Sequence, residues 1–179
     1  MLFSILSLLI DTVAGILGGL LLLRFWMQAV RIRPPMSVAQ FTFQLTDWLV
    51  KPLRRVLPGV GGYDWASLVG AVFVVVISMT IDVAMVGSFS PRLILVLSLL
   101  RLMQWIFYGL TGLILIGVVF SWVNPYAPMA PFVQALTDPM LRPLRRFIPL
   151  IGSIDVTPMV ALILLQIALK LIDMFILQL

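Results

Sequence analysis

Five ionisable residues stand inside apolar runs of this chain: Asp11, Asp82, Arg101, Lys170 and Asp173. A charge held in hydrocarbon is costly, so such groups face a bundle interior or water and take a partner. Asp82 is expected to reach Arg101 across a short hairpin, while Gln166, Lys170 and Asp173 share one helical face by their spacing. Buried charges paired in this way either fix helix register or mark an ion or proton path around a small hydrated cavity.

A second chemical feature is basic and occurs twice. Lys51-Pro52-Leu53-Arg54-Arg55-Val56-Leu57-Pro58 returns ninety-one residues later as Arg142-Pro143-Leu144-Arg145-Arg146-Phe147-Ile148-Pro149. Arginine at a membrane surface meets anionic headgroups at about 1 kcal/mol each. Docking of a membrane protein partner is the second reading of the Arg54-Arg55 and Arg145-Arg146 pairs. Nucleic acid is not expected, because three basic residues per loop without interleaved stacking aromatics make a poor footprint.

Absences exclude more than these motifs prove. The chain has no His, no Cys and, among its 7 acidic residues, no Glu. Imidazole acid–base catalysis, thiolate chemistry, disulfides, histidine-ligated haem and the usual zinc sites are thereby removed. No phosphate-cradling glycine loop and no nucleophile with an attendant base is present either. The expectation is a non-enzymatic protein with no cofactor and no metal.

The elements that must hold these residues are transmembrane helices. Of 179 residues 62% are hydrophobic and 11% charged, where a soluble domain carries about a quarter charged; mean hydropathy is +1.17. Four runs are long enough for a core of about 30 Å: approximately Leu2–Trp26, Trp65–Val86, Leu93–Trp122 and Pro158–Leu177. The first lacks a basic n-region and runs past any small-residue cleavage site to Arg24, so it reads as a retained span. The third is long enough to tilt or protrude. Gly87, Ser88, Ser90 and Pro91 make the short connection between the second and third.

Nine of the 12 basic residues lie at the two long connections: Arg24, Arg31, Arg33, Lys51, Arg54, Arg55, Arg142, Arg145 and Arg146. Arg92, Arg101 and Lys170 fall on the other side, so the positive-inside rule puts the long connections in the cytoplasm. Both termini, including the uncharged Met1 to Ile10 segment, then face outward.

The duplication extends well beyond the basic motif. At the same offset Phe41, Leu45-Thr46-Asp47, Pro58, Gly61, Asp64 and Ile81-Asp82 match Phe132, Leu136-Thr137-Asp138, Pro149, Gly152, Asp155 and Ile172-Asp173. Trp26 and Trp122 correspond only after a five-residue shortening of the second loop. The fold class is therefore an all-α membrane protein: four transmembrane helices as two parallel helix–amphipathic loop–helix repeats, spanning 1–87 and 88–179. Before each basic motif Val38, Phe41, Leu45, Leu49 and Leu53, or Phe132, Leu136, Met140 and Leu144, recur at helical spacing, as for a surface helix with its apolar stripe towards lipid. Pro52 and Pro143 are expected to break it, and Asp138-Pro139 suits a helix start. Asp64 and Asp155 are read as N-caps of the second and fourth spans. Ser7, Asp11, Gly15 and Gly19 form a small ridge for close helix contact, with Gly109, Gly112 and Gly117 in the third span in a similar role.

The doubled Asp-x-x-x-(Arg/Lys)-Pro-Leu-Arg-Arg-x-(Leu/Ile)-Pro-x-x-Gly-x-x-Asp pattern resembles the YggT family, related to YlmG. The likeness covers nearly the whole chain, and the second copy, through Asp155-Val156-Thr157-Pro158, is the closer match. Two-copy members are typical of proteobacterial inner membranes; single-copy relatives occur in Gram-positive bacteria, cyanobacteria and plastids. The resemblance implies roles in osmotic tolerance and ion homeostasis, in cell division, or, for a plastid relative, in haem attachment to a b-type cytochrome; the last is disfavoured here by the missing His and Cys. The leading expectation is a membrane protein that organises or assists a complex in envelope or osmotic homeostasis. An ion-transport component using the buried charges is the alternative. Partners are anionic lipid headgroups, an unknown membrane protein and a second copy of the chain, since single-copy members imply that units can pair.

Overall fold

The computed structural model describes residues 2–87, 90–149 and 155–176, with side chains from Ser4 onward. Met1, Ser88, Gly152 and Leu177, which figure in the sequence reading, lie outside the described residues. Six helices follow in order: α1 (Leu2–Ala29), α2 (Met36–Val56), α3 (Trp65–Met85), α4 (Pro91–Val123), α5 (Ala130–Leu144) and α6 (Thr157–Ile176). Four of these, α1, α3, α4 and α6, are long and apolar enough to cross a membrane. The architecture is two successive units, each a pair of spans joined through an amphipathic helix.

Helix boundaries follow local chemistry. Asp64 caps α3 by accepting the Ser67 N–H, and Ser90 caps α4 by accepting the Leu93 N–H ahead of Pro91 in the first turn. Gly87, at φ 77, closes α3 in the left-handed conformation that a side chain would disfavour. At 33 residues α4 is about 50 Å long, so it exceeds the hydrocarbon thickness as expected. Within each unit the spans pack on each other, α1 on α3 and α4 on α6, and α3 also lies against α4.

Two expectations for the surface helices are corrected. Neither breaks at proline: Pro52 lies inside α2, and Pro139 and Pro143 lie inside α5, so Asp138-Pro139 is not a helix start. All three prolines are on the exposed face, where a carbonyl that loses its helical donor can turn outward to water or headgroups instead of being stranded in the core. The apolar stripe of α5 turns inward rather than towards lipid, and that of α2 is divided between the two sides. In α2 the buried face is Thr42, Thr46, Leu49 and Val50, with Leu49 and Val50 packed on Leu21, Ala66 and Ala71. Phe41, Leu45 and Trp48 point outward. In α5 Phe132, Val133 and Leu136 pack against Met27 of α1 and Phe120 of α4.

That last contact fixes the relative orientation of the units. The Trp26 indole N–H donates to the Leu136 carbonyl at 3.0 Å, so the end of α1 touches the amphipathic helix of the other unit. Both long connections therefore lie on the same side of the bundle, as a parallel repeat requires.

The small-residue ridge makes contact over part of its length: Ser7 reaches Asp82 of α3, and Asp11 and Gly15 meet Arg101 and Trp105 of α4. Nothing lies within 4 Å of where side chains on Gly19, Gly109 or Gly112 would begin, whereas a Cβ on Gly18 would overlap the Trp105 indole of α4. Gly18 is thus the residue that admits α4 to α1. Gly18→Ala is expected to destabilise the protein by about 1–3 kcal/mol through overpacking, and Gly19→Ala to stay within about 0.5 kcal/mol. Unfolding titrations in mixed micelles compare the two; equal tolerance would contradict this packing.

Candidate functional site

The loop side of the first unit is built around an arginine that enters from a span. Arg24 of α1 is only 5% exposed. Its Nη1 donates to Asp47 Oδ1 at 2.6 Å and to Thr46 Oγ1 at 2.9 Å, and the Thr46 hydroxyl in turn donates to the Thr42 carbonyl at 2.6 Å. Arg24 Nε stands 3.3 Å from Asp64 Oδ2 as an ion-pair contact without hydrogen-bond alignment. The guanidinium also lies over the Phe43 ring, 4.6 Å from its centroid, a favourable cation–π placement.

Asp64, 2% exposed, is therefore more than a cap. It accepts from Arg54 Nη2 at 2.6 Å and from the Ser67 hydroxyl at 2.6 Å. A buried carboxylate and a buried guanidinium are stable together because each supplies the charge that the other's desolvation demands. Lys51 adds an exposed pair to Asp47 at 2.9 Å. The network thus ties α1, α2 and the start of α3 into one rigid corner.

The second unit uses the matching residues in a looser arrangement. Arg145 bridges Asp138 at 3.2 Å and Asp155 at 3.0 Å, and Arg142 pairs with Asp138 at 3.0 Å. Asp155 also accepts the Thr157 N–H at 2.9 Å as α6 begins. These side chains are between 31% and 74% exposed, and no span arginine joins them among the described residues. By the Trp26–Trp122 correspondence the counterpart of Arg24 is Phe120, which packs in the apolar cluster around Phe132. Arg55 and Arg146 are exposed.

On the other side of the bundle the expected Asp82–Arg101 pair does not form. Ser7 and Asp11 sit one turn apart on α1, which packs against both α3 and α4. Ser7 takes Asp82 of α3 at 2.8 Å, and Asp11 takes Arg101 of α4 at 2.9 Å. Gln166, Lys170 and Asp173 share a face of α6 but make no pair with one another: Gln166 and Lys170 are exposed, while Asp173 Oδ1 is buried without a hydrogen-bond partner among the described residues. Lys170 makes no ion pair among the described residues and is not one of the buried charges. No group of three potential metal-ligating side chains occurs among the described residues.

Sequence reasoning used Arg24 only as a marker of topology and missed its structural role. Its signal was present: Arg24 is the one basic residue in the first apolar run, and the second copy has an aromatic residue in its place.

These features define a multi-pass α-helical membrane protein made of a duplicated two-span unit with an ion-paired loop side. The chain belongs to the CCB3/YggT family, whose model matches residues 3–85 and 96–177, one segment in each unit. It is 34% identical over 163 residues to the uncharacterized protein YggT of Escherichia coli, covering 90% of this chain and 86% of that one. An uncharacterized protein of Pseudomonas aeruginosa is 33% identical over 180 residues, covering 95% of this chain and 87% of the relative. No solved structure matches the chain.

Burial by itself would raise the carboxyl pKa values of Asp47 and Asp64. Hydrogen bonds and charge from Arg24 and Lys51 at Asp47, and from Arg54, Ser67 and Arg24 at Asp64, outweigh it and hold both below the ordinary aspartate value. A carboxyl whose pKa is lower folded than unfolded stabilises the fold fully above its unfolded value of about 4, and that stability is lost as pH falls through the folded value. Tryptophan emission from a variant keeping Trp65 alone, beside Asp64, is expected to stay constant from about pH 8 to pH 5 and to shift only below about pH 4. A transition above pH 6 would contradict the assignment.

Proposed function

We propose that the protein is a non-catalytic membrane scaffold, with its two ion-paired corners on the cytoplasmic face of a bacterial inner membrane and both termini in the periplasm. The excess of arginine and lysine at the two long connections supports this orientation. Arg55 and Arg146 anchor the corners on anionic headgroups, and the outer face of α2 receives a membrane protein partner. The observation that carries the reading is how the loop-side carboxylates are used. Asp47, Asp64, Asp138 and Asp155 are all committed to arginines that join helices, which suits rigid positioning rather than proton or ion exchange. Meanwhile Phe41, Leu45 and Trp48 present an apolar, aromatic face beside basic residues. A role in envelope or osmotic homeostasis is what the doubled motif's family resemblance implies.

Ion transport is the competing reading, because Asp11, Asp82 and Arg101 lie within spans. Their side chains join α1 to α3 and α4, a use that holds helix register. A photoreactive residue at Phe41 or Trp48 is expected to crosslink one recurrent membrane protein in cells. Purified proteoliposomes are expected to pass no more ions than empty vesicles. Ion flux abolished by Asp82→Asn in a normally folded protein would replace scaffolding with transport.

A further inference from the structure

Beside the buried corner of the first unit is a cavity of about 390 Å³ lined by four arginines, Arg24, Arg31, Arg33 and Arg54, with Phe43 and Gly62 among its other walls. Arginine stays charged in any protein environment. Two carboxylates, Asp47 and Asp64, engage Arg24 and Arg54. Arg31 and Arg33 make no ion pair among the described residues, so four positive charges against two negative ones leave the cavity with two in excess. We propose that this cavity binds a phosphate group, carried either by an anionic phospholipid headgroup or by a soluble phosphate compound.

The way the chain leaves α1 supports the assignment. Ile32 N–H bonds the Met27 carbonyl and Arg31 N–H bonds the Gln28 carbonyl, both at 3.0 Å. That is a Schellman closure, whose left-handed residue is normally glycine. Here it is Arg31, at φ 59, the one non-glycine residue with positive φ among the described residues. A side chain in that conformation is strained, and this one carries a guanidinium that reaches the Val60–Tyr63 turn: Arg31 Nη2 lies 4.0 Å from where a Cβ on Gly62 would stand. Gly62, itself at φ 84, supplies the left-handed backbone of that turn. Planar guanidiniums converging on one cavity suit the bidentate recognition of phosphate oxygens.

The second unit cannot build the same site. No basic residue occurs between Arg101 and Arg142, so its loop has no counterpart of Arg24, Arg31 or Arg33. The site is therefore distinct from the duplicated Pro-Leu-Arg-Arg motif, which both units carry.

The test uses the full chain in nanodiscs, with two arms. In phosphatidylcholine discs inorganic phosphate and pyrophosphate are titrated by calorimetry; in discs doped with phosphatidylglycerol, retained lipid is counted by native mass spectrometry. Binding in either arm is expected to fall about tenfold or more in R31Q/R33Q, as charge-assisted hydrogen bonds are lost. The equal-charge control R92Q/K170Q, at residues on the other side of the bundle, is expected to change it less than about twofold. The arm that responds identifies the source of the phosphate. A second variant separates binding from folding: R31G restores the residue the turn prefers, so it should melt at a higher temperature while binding more weakly. Absence of binding in both arms, or equal losses in the two double variants, would overturn the proposal.

Discussion

A guanidinium removed from water where a membrane begins must be neutralised at once, and that constraint organises the first half of this protein. Arg24 is committed to Asp47 and Asp64 together, so α2 must lie where Asp47 can reach α1, and α3 must start where Asp64 can. The surface helix is thereby tied to the bundle through its Thr42 and Thr46 face rather than resting on lipid alone. Removing one member of such a set leaves its partner buried and unpaired, which typically costs about 3–5 kcal/mol. Exposed pairs like those of the second unit contribute about 0–1 kcal/mol.

The two units answer the same problem by different means. In the second, Phe120 stands where the first has Arg24, and α5 is held by Phe132, Val133 and Leu136 packing on α1 and α4. Arg145 takes over the bridging of the two loop carboxylates. Trp26 is bonded to the other unit's surface helix, whereas its counterpart Trp122 is 78% exposed. The two units therefore share a frame, with an ion-paired loop side that is buried around Arg24 and Asp64 in the first and more exposed in the second.

Much of this was legible in the sequence, for physical reasons. Spans declare themselves by unbroken hydrophobic length, and the repeat by constant spacing of proline, arginine and aspartate. Less legible was anything that depends on helix rotation. The inward face of α2 carries Thr42 and Thr46, whose polarity disguised it until Arg24 was seen to hydrogen-bond there. Partner choice among Asp11, Asp82 and Arg101 was missed because α1 packs against both members of the expected hairpin. Pro52 and Pro143 were expected to break their helices and Pro139 to begin one, yet each lies inside a helix on an exposed face where the lost bond can be solvated. Gly18 could not be told from Gly19 without knowing where Trp105 lies.

The buried Arg24–Asp64 contact should be coupled far more strongly than the exposed Arg145–Asp155 pair of the second unit. Double-mutant cycles on reversible unfolding in mixed micelles measure this directly, pairing Arg24→Gln with Asp64→Asn and Arg145→Gln with Asp155→Asn. The predicted coupling is about 2–3 kcal/mol for the first pair and below about 1 kcal/mol for the second. Additive effects at Arg24 and Asp64, or equal coupling in the two units, would contradict it.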